Sequence, residues 1–156
     1  MTETELSQDT APVIELLSFH VASQEYSVNI MSVREIRSNT SVTPLPHAPS
    51  HVLGVINLRG TVLPIIDLGE RLRQESCKAH ERAVIIVVAH EDQVFGLLVE
   101  AVSDILEVSE NDMQPPPDMG NDPGSVMVKS LTIVEDKMIR ILDLAAVLES
   151  GMPAAA

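Results

Sequence analysis

Residues Gly54 to Leu68 read GVINLRGTVLPIIDL, two apolar runs joined by Arg59 and Gly60. The runs are short and rich in β-branched residues, and the joint is too tight for anything but a hairpin turn, so the stretch predicts two antiparallel strands. Gly60 supplies the positive φ that the second turn position requires. Both runs are apolar on nearly both faces, as in strands held between core layers. Pro64 has no N–H to give to a ladder, which predicts an edge strand or a bulge. Arg59 is left as the one charge projecting from a dry hairpin. It reads either as a solvated turn residue, alone or ion-paired with Glu35 or Asp67, or as an anchor for a partner, a role in which arginine is over-represented.

The same strand signals recur outward from this hairpin. IELLSFHV (Ile14 to Val21), YSVNI (Tyr26 to Ile30), AVIIVVA (Ala83 to Ala89), VFGLLV (Val94 to Val99) and KMIRILDL (Lys137 to Leu144) are short, β-branched and bounded by polar or turn residues. Helix is confined to LGERLRQ after Asp67 and LAAVLES after Asp143, with a turn in IMSVREI. MQPPPDMGNDPG, Met113 to Gly124, reads as a connecting loop. The chain is mainly β with a few short helices.

Two segments of this layout resemble each other. Leu17 to Ile36 (LSFHVASQEYSVNIMSVREI) lies over Ile86 to Ile105 (IVVAHEDQVFGLLVEAVSDI) without a gap, setting Tyr26 on Phe95, Val33 on Val102 and Glu35 on Asp104. Further on, IIDL (Ile65 to Leu68) answers ILDL (Ile141 to Leu144). The order of features predicts two copies of one small β unit, approximately 17–75 and 83–149, within a single domain over 14–149, with strands open to exchange between the copies. Curling each unit into a five-stranded barrel protects its edges, and packing the two together buries the faces neither covers alone. The acidic lead-in over 1–13 and the tail over 150–156 read as flexible. The second copy shows no charged tip equivalent to Arg59.

Composition narrows the function. The 156 residues carry a formal net charge of −13, with two Phe, one Tyr and no Trp. Phosphate backbones would be repelled and no stacking platform exists for single strands, so nucleic acid is not expected as a partner. The longest apolar run, AVIIVVA, is far short of the ~20 residues that span a bilayer, so no direct membrane insertion is expected. MTETELSQDTAP has neither a basic nor an apolar segment, and Cys77 is the single cysteine; both point to the cytoplasm.

Candidate chemistry is sparse. Asp67 and Asp143 occur once per copy and invite a hydrolase reading as a shared-proton dyad. Neither is followed by the Ser/Thr-Gly that such loops use. Each precedes a helical stretch, and Asp67 with Glu70 has capping-box spacing, so both read as helix caps. Cys77 and His80 in RQESCKAHE stand at a spacing that suggests a nucleophile or half a metal site, yet no second pair follows and the segment reads as an exposed loop. His20, His47, His51 and His90 are scattered without ligand spacing. No catalytic, cofactor or metal site is expected, and the chain does not read as an enzyme.

GVINLRGTVLPIIDL, with the preceding SVREIR and LPHAPSHVLGV and the later VFGLLVEAVSDILEV, MQPPP and MIRILDL, resembles the CheW family of bacterial chemotaxis coupling proteins over roughly Ile14 to Leu148. The resemblance implies two SH3-like five-stranded β-barrels around a shared core. It implies a non-enzymatic adaptor, monomeric when free, cytoplasmic and recruited to membrane-associated chemoreceptor arrays. Its partners would be the cytoplasmic tips of methyl-accepting chemoreceptors and the CheW-like regulatory domain of the histidine kinase CheA. Carried over by motif, Val33, Glu35 and Arg59 would lie on or beside the interaction surface, Glu35 and Arg59 would be able to pair, and Gly54 would shape the backbone. The family commonly has glycine where Ser130 stands, so the partner surface of the second copy cannot be read from the first.

Overall fold

The structure, a computed structural model, describes residues 12–38, 41–72, 76–78, 81–116 and 127–148. Ten strands follow in chain order: β1 (Val13–Val21), β2 (Gln24–Asn29), β3 (Val33–Arg37), β4 (Val52–Leu58), β5 (Thr61–Asp67), β6 (Val84–His90), β7 (Gln93–Val99), β8 (Ala101–Ser109), β9 (Val128–Val134) and β10 (Lys137–Leu142). Two short helices, α1 (Leu68–Arg71) and α2 (Leu144–Leu148), follow β5 and β10. The hairpin that opened the sequence reading is β4–β5, paired from Leu58↔Thr61 at its tip to Val52↔Ile66. The expected lead-in and tail lie largely outside the described residues, as does most of the proline loop.

The strands form two five-stranded sheets, ordered β8-β1-β2-β10-β9 and β3-β6-β7-β5-β4. Each sheet takes two strands from one half of the chain and three from the other. Strands at matching places of the two halves fall in opposite sheets. β1 pairs with β8 through Ser18↔Asp104, and β6 with β3 through Val87↔Glu35. β2 runs parallel to β10 with Ser27 opposite Ile141, and β7 runs parallel to β5 with Gly96 opposite Ile65. Even the register shift recurs, between Ser18 and Phe19 in one sheet and between Val33 and Glu35 in the other.

This interleaving explains the apolar composition. Phe19 and Val21 from β1, Ile65 and Ile66 from β5, Ile86 and Val88 from β6, and Phe95 and Leu97 from β7 all belong to one buried cluster with Leu68 and Val147 from the helices. A smaller cluster around Leu16, Val108 and Ile141 fills the β8-β1-β2-β10-β9 unit. Burial of this kind is worth roughly 1.5–3 kcal/mol per large side chain.

Three strands escape the sequence reading. β3 and β8 lie at sheet edges and carry charges, Arg34, Glu35 and Arg37 in one and Asp104 and Glu107 in the other, while β9 interleaves Lys129 and Ser130 with its apolar residues. Two expectations are corrected. Pro64 sits in an inner strand, yet no ladder bond is lost: Val55 opposite it exchanges both backbone bonds with Thr43 (2.8 and 2.9 Å), and the β7 ladder begins only at Ile65. The irregularity lies instead in β4, between Val52 and Gly54. Second, β4 is apolar on nearly both faces but buried on only one: buried Val52, Gly54 and Ile56 alternate with half-buried Leu53 and Val55 and exposed Asn57.

The two helices are joined by one side chain. Arg71 donates from Nε to the Val147 carbonyl (2.8 Å) and from Nη2 to that of Ala146 (2.9 Å), satisfying carbonyls near the end of α2. Arg71→Met is expected to cost about 2 kcal/mol, measured as a lower urea midpoint at unchanged m-value.

Candidate functional site

At the β4–β5 tip both turn residues have positive φ, Arg59 at 51° and Gly60 at 87°. The turn is thus of the doubly left-handed kind favoured in two-residue hairpins, and Arg59 shares the conformation expected only of Gly60. Asn57 locks it, its Oδ1 accepting the Gly60 N–H at 3.0 Å. This rigid tip presents the Arg59 guanidinium, 72% exposed, to Glu35 on β3, and Nη2 donates to Oε2. Of the two structural partners raised for Arg59, the structure selects Glu35.

The other carboxylate oxygen of Glu35 accepts from Arg37 Nη1 at 3.1 Å. Residues two apart on a strand share a face, so β3 supplies both members of that contact. Glu35 is held between two guanidiniums, and its side chain is 25% exposed against 36% for Arg37. The hydrogen bond from Arg59, followed by those effects of Arg37 that act in the same direction, holds the Glu35 carboxyl below its usual range despite some desolvation. A lowered folded-state pKa keeps the clamp charged above the ordinary carboxylate range and releases it as pH falls through the depressed value.

This clamp also shapes the sheet. β3 and β4 are its two edges, which in a flat five-stranded sheet would stand about 19 Å apart. Their contact means that the sheet is curled. Below the clamp lies a depression of about 270 Å³ lined by Arg34, Leu58, Leu63, Val87 and Val94, apolar at its base and cationic at its rim.

The remaining sequence candidates lie elsewhere. Val33 is half-buried against the main core, across the β3 register shift from Glu35. Gly54 sits at the opposite end of β4 from the tip, with φ of 148°. Asp67 is completely buried at the N-terminus of α1. Its carboxylate accepts from the N–H groups of Glu70 (3.4 Å) and Cys77 (3.1 Å) and from the Ser76 hydroxyl. The cap is present but the capping box is not, since the Asp67 N–H goes to the His51 carbonyl. Asp143 caps α2, accepting from Ala145 (3.1 Å) and Ala146 (3.3 Å). Each aspartate is engaged by backbone donors at its own helix, which is how caps behave.

Cys77 corrects an expectation. It is fully buried in the main core rather than on an exposed loop, and burial, with the Asp67 carboxylate beside it, pushes its thiol up to about 12. His80 lies outside the described residues. Thiol labelling at neutral pH is expected to proceed only as fast as the protein opens, and at the free-thiol rate in denaturant. Among the described residues no three His, Cys, Asp or Glu side chains stand together as metal ligands.

What the sequence reading missed is the partner of the tip. The β9–β10 hairpin turns at Glu135 (φ 51°) and Asp136 (φ 67°), the same geometry as Arg59–Gly60. The second tip is therefore charged, and acidic. Asp104 occupies the place of Glu35, so the β8-β1-β2-β10-β9 sheet has carboxylates at both positions where the β3-β6-β7-β5-β4 sheet has an ion pair.

Comparison with known proteins agrees with this architecture. A family model described as CheW-like domain matches residues 15–152. The chain is 50% identical over 136 residues to the chemotaxis protein CheW of Rhizobium meliloti, covering 87% of this chain and 88% of that protein. It is 47% identical over 132 residues to the probable chemotaxis protein CheW of Rhizobium etli, covering 85% of each. The crystal structure of the scaffolding protein TtCheW from Thermoanaerobacter tengcongensis superposes with a TM-score of 0.84 at 30% identity, over 92% of this chain and 98% of that one.

Proposed function

The chain belongs to the CheW family, and from that premise and the geometry of the clamp we propose that the Glu35–Arg59 face is where this chemotaxis scaffold grips a partner. The chain is an adaptor of bacterial chemotaxis, of the family that couples chemoreceptors to the kinase CheA. The family is one of scaffolds, and the helix-capping role of Asp67 and Asp143 leaves the hydrolase reading without support.

The observation that carries the partner face is a 72% exposed guanidinium on a tight turn, fixed by Glu35 above a partly apolar depression. Fixed charge gives orientation and the apolar floor gives burial. Because Glu35 already holds Arg59 in place, little rotamer entropy is lost on docking. The partners are a chemoreceptor tip and the CheW-like regulatory domain of CheA. Val33 supports the face from beneath, and Gly54 and Gly60 shape its hairpin. The free adaptor is monomeric and cytoplasmic and joins receptor arrays by protein contacts; among the described residues no helix is long and apolar enough to cross a membrane. Its influence on the kinase equals the difference in its binding to the kinase's active and inactive states.

A charge swap tests whether the pair is more than internal glue. Glu35→Arg with Arg59→Glu restores an ion pair with its polarity reversed. A pair that matters only within the fold would leave receptor and kinase binding intact in the swapped protein; a pair that meets a partner would leave binding lost in a folded protein.

A further inference from the structure

The β1–β2 turn and the start of β10 enclose a depression of about 420 Å³ on the β8-β1-β2-β10-β9 sheet, lined by His20, Ser23, Gln24, Glu25, Lys137 and Arg140 among others. We propose that it is a binding site for a phosphate-type oxyanion, separate from the Glu35–Arg59 face.

The first ground is charge in an unexpected place. The chain carries 23 acidic side chains against 10 lysines and arginines, yet among the described residues neither Lys137 nor Arg140 has a carboxylate partner. Glu25, the one acid in the depression, faces His20, whose Nε2 is 3.7 Å from its Oε1, and its side chain is only 14% exposed. Lys137 is exposed and Arg140 half-buried.

Preorganisation is the second ground. Arg140 lies over the Tyr26 ring, its guanidinium carbon 5.8 Å from the centroid. The Tyr26 hydroxyl donates to Gln24 Oε1 at 3.0 Å. That bond uses the acceptor of the Gln24 amide and leaves its NH₂ as a donor. A guanidinium fork, an ammonium, an amide donor and the Ser23 hydroxyl together offer more donors than a carboxylate accepts from one side, and suit a tetrahedral oxyanion.

The internal repeat supplies the control. At the matching places of the other sheet stand Ala89 for His20, Val94 for Glu25, Thr61 for Lys137 and Pro64 for Arg140. The same strands, turn and pairing form there without one of these charges. The pairing of these strands does not depend on the cluster, as expected of a site kept for a ligand.

The net charge of −13 opposes any anion, but beyond roughly 8 Å it is screened at physiological ionic strength, so binding is expected in about the millimolar range. The test is an amide NMR titration of the full chain with inorganic phosphate at constant ionic strength, with sodium acetate as control and phosphoserine in a parallel arm. The expected result is saturable shifts at Ser23, Gln24 and Lys137 to Arg140, about tenfold weaker in Lys137→Gln/Arg140→Gln. Phosphoserine tighter than phosphate assigns the site to a phosphate ester; the reverse assigns it to the free ion. Absence of saturable shifts, an equal response to acetate, or an undiminished response in the double variant overturns the proposal. Should the double variant fail to fold, Lys137→Gln alone, at an exposed position, gives the same reading with a smaller loss.

Discussion

Gly54→Ala is expected to cost about 3 to 5 kcal/mol, and Gly54→Val to leave the chain without a cooperative unfolding transition. A Cβ at this position would stand 2.0 Å from the Thr43 carbonyl oxygen, 2.6 Å from its carbon and 2.8 Å from Pro44 Cα, all of them backbone. That backbone cannot retreat, because Thr43 and Val55 exchange hydrogen bonds of 2.8 and 2.9 Å beside the clash. The φ of 148° adds strain for any L side chain. The second hairpin shows what relieves the requirement. Ser130 stands opposite Ile141 as Gly54 stands opposite Ile65, and Gln114 bridges Leu131 with two 2.8 Å bonds as Thr43 bridges Val55. Ser130 has no positive φ, so the left-handed backbone that admits only glycine is not imposed there. Urea unfolding monitored by circular dichroism checks both variants. A cost below about 1 kcal/mol for alanine would mean that the Thr43 segment is not held as described.

Asp67→Ala carries the second large effect, about 3 to 4 kcal/mol. It removes the cap of α1, worth about 1 kcal/mol, and strands the Cys77 N–H and the Ser76 hydroxyl, which the buried carboxylate now satisfies. Asp143→Ala removes a cap only, at a half-exposed position, and is expected to cost about 1 kcal/mol. The difference measures how far Asp67 acts as a staple between α1 and the segment at 76–78. Equal costs at the two positions would contradict that role. Thiol labelling gives a second readout, since loss of the Asp67 anchor should expose Cys77 faster in the folded state.

The hairpin Gly54 to Leu68 was legible because two short, largely apolar runs rich in β-branched residues flank a two-residue turn, and the repeat was legible because Tyr26 and Phe95 anchor it on equivalent strands. Strand exchange left a weaker mark: a repeat fixes which segments are alike, while the partner each pairs with depends on packing between halves. β3 and β8 were obscured by their edge position, where charges such as Glu35 and Asp104 replace the alternation of a half-buried strand. Charge left Glu35 and Asp67 both open as partners of Arg59, and Arg37 was missed although its spacing from Glu35 is that of one strand face. The acidic tip was hidden because the likeness of the halves is plain only over Leu17 to Ile36 and at IIDL and ILDL, with the hairpin between left unmatched. Extending the match from IIDL and ILDL back through the hairpin sets Glu135 and Asp136 on Arg59 and Gly60. Cys77 looked exposed because its neighbours are polar; Asp67 draws it inward through a bond ten residues away in sequence.

Arg59→Glu addresses the partner face most directly. Its side chain is mostly exposed, so the fold should survive, with circular dichroism and the urea midpoint close to wild type. The measurement is co-sedimentation with receptor-containing membranes and CheA, together with receptor-dependent kinase activity. Loss of both in the folded variant is the predicted result. Full co-sedimentation and coupling with a glutamate at the tip would contradict it, and would make Arg59 a turn residue whose bond to Glu35 serves the fold alone.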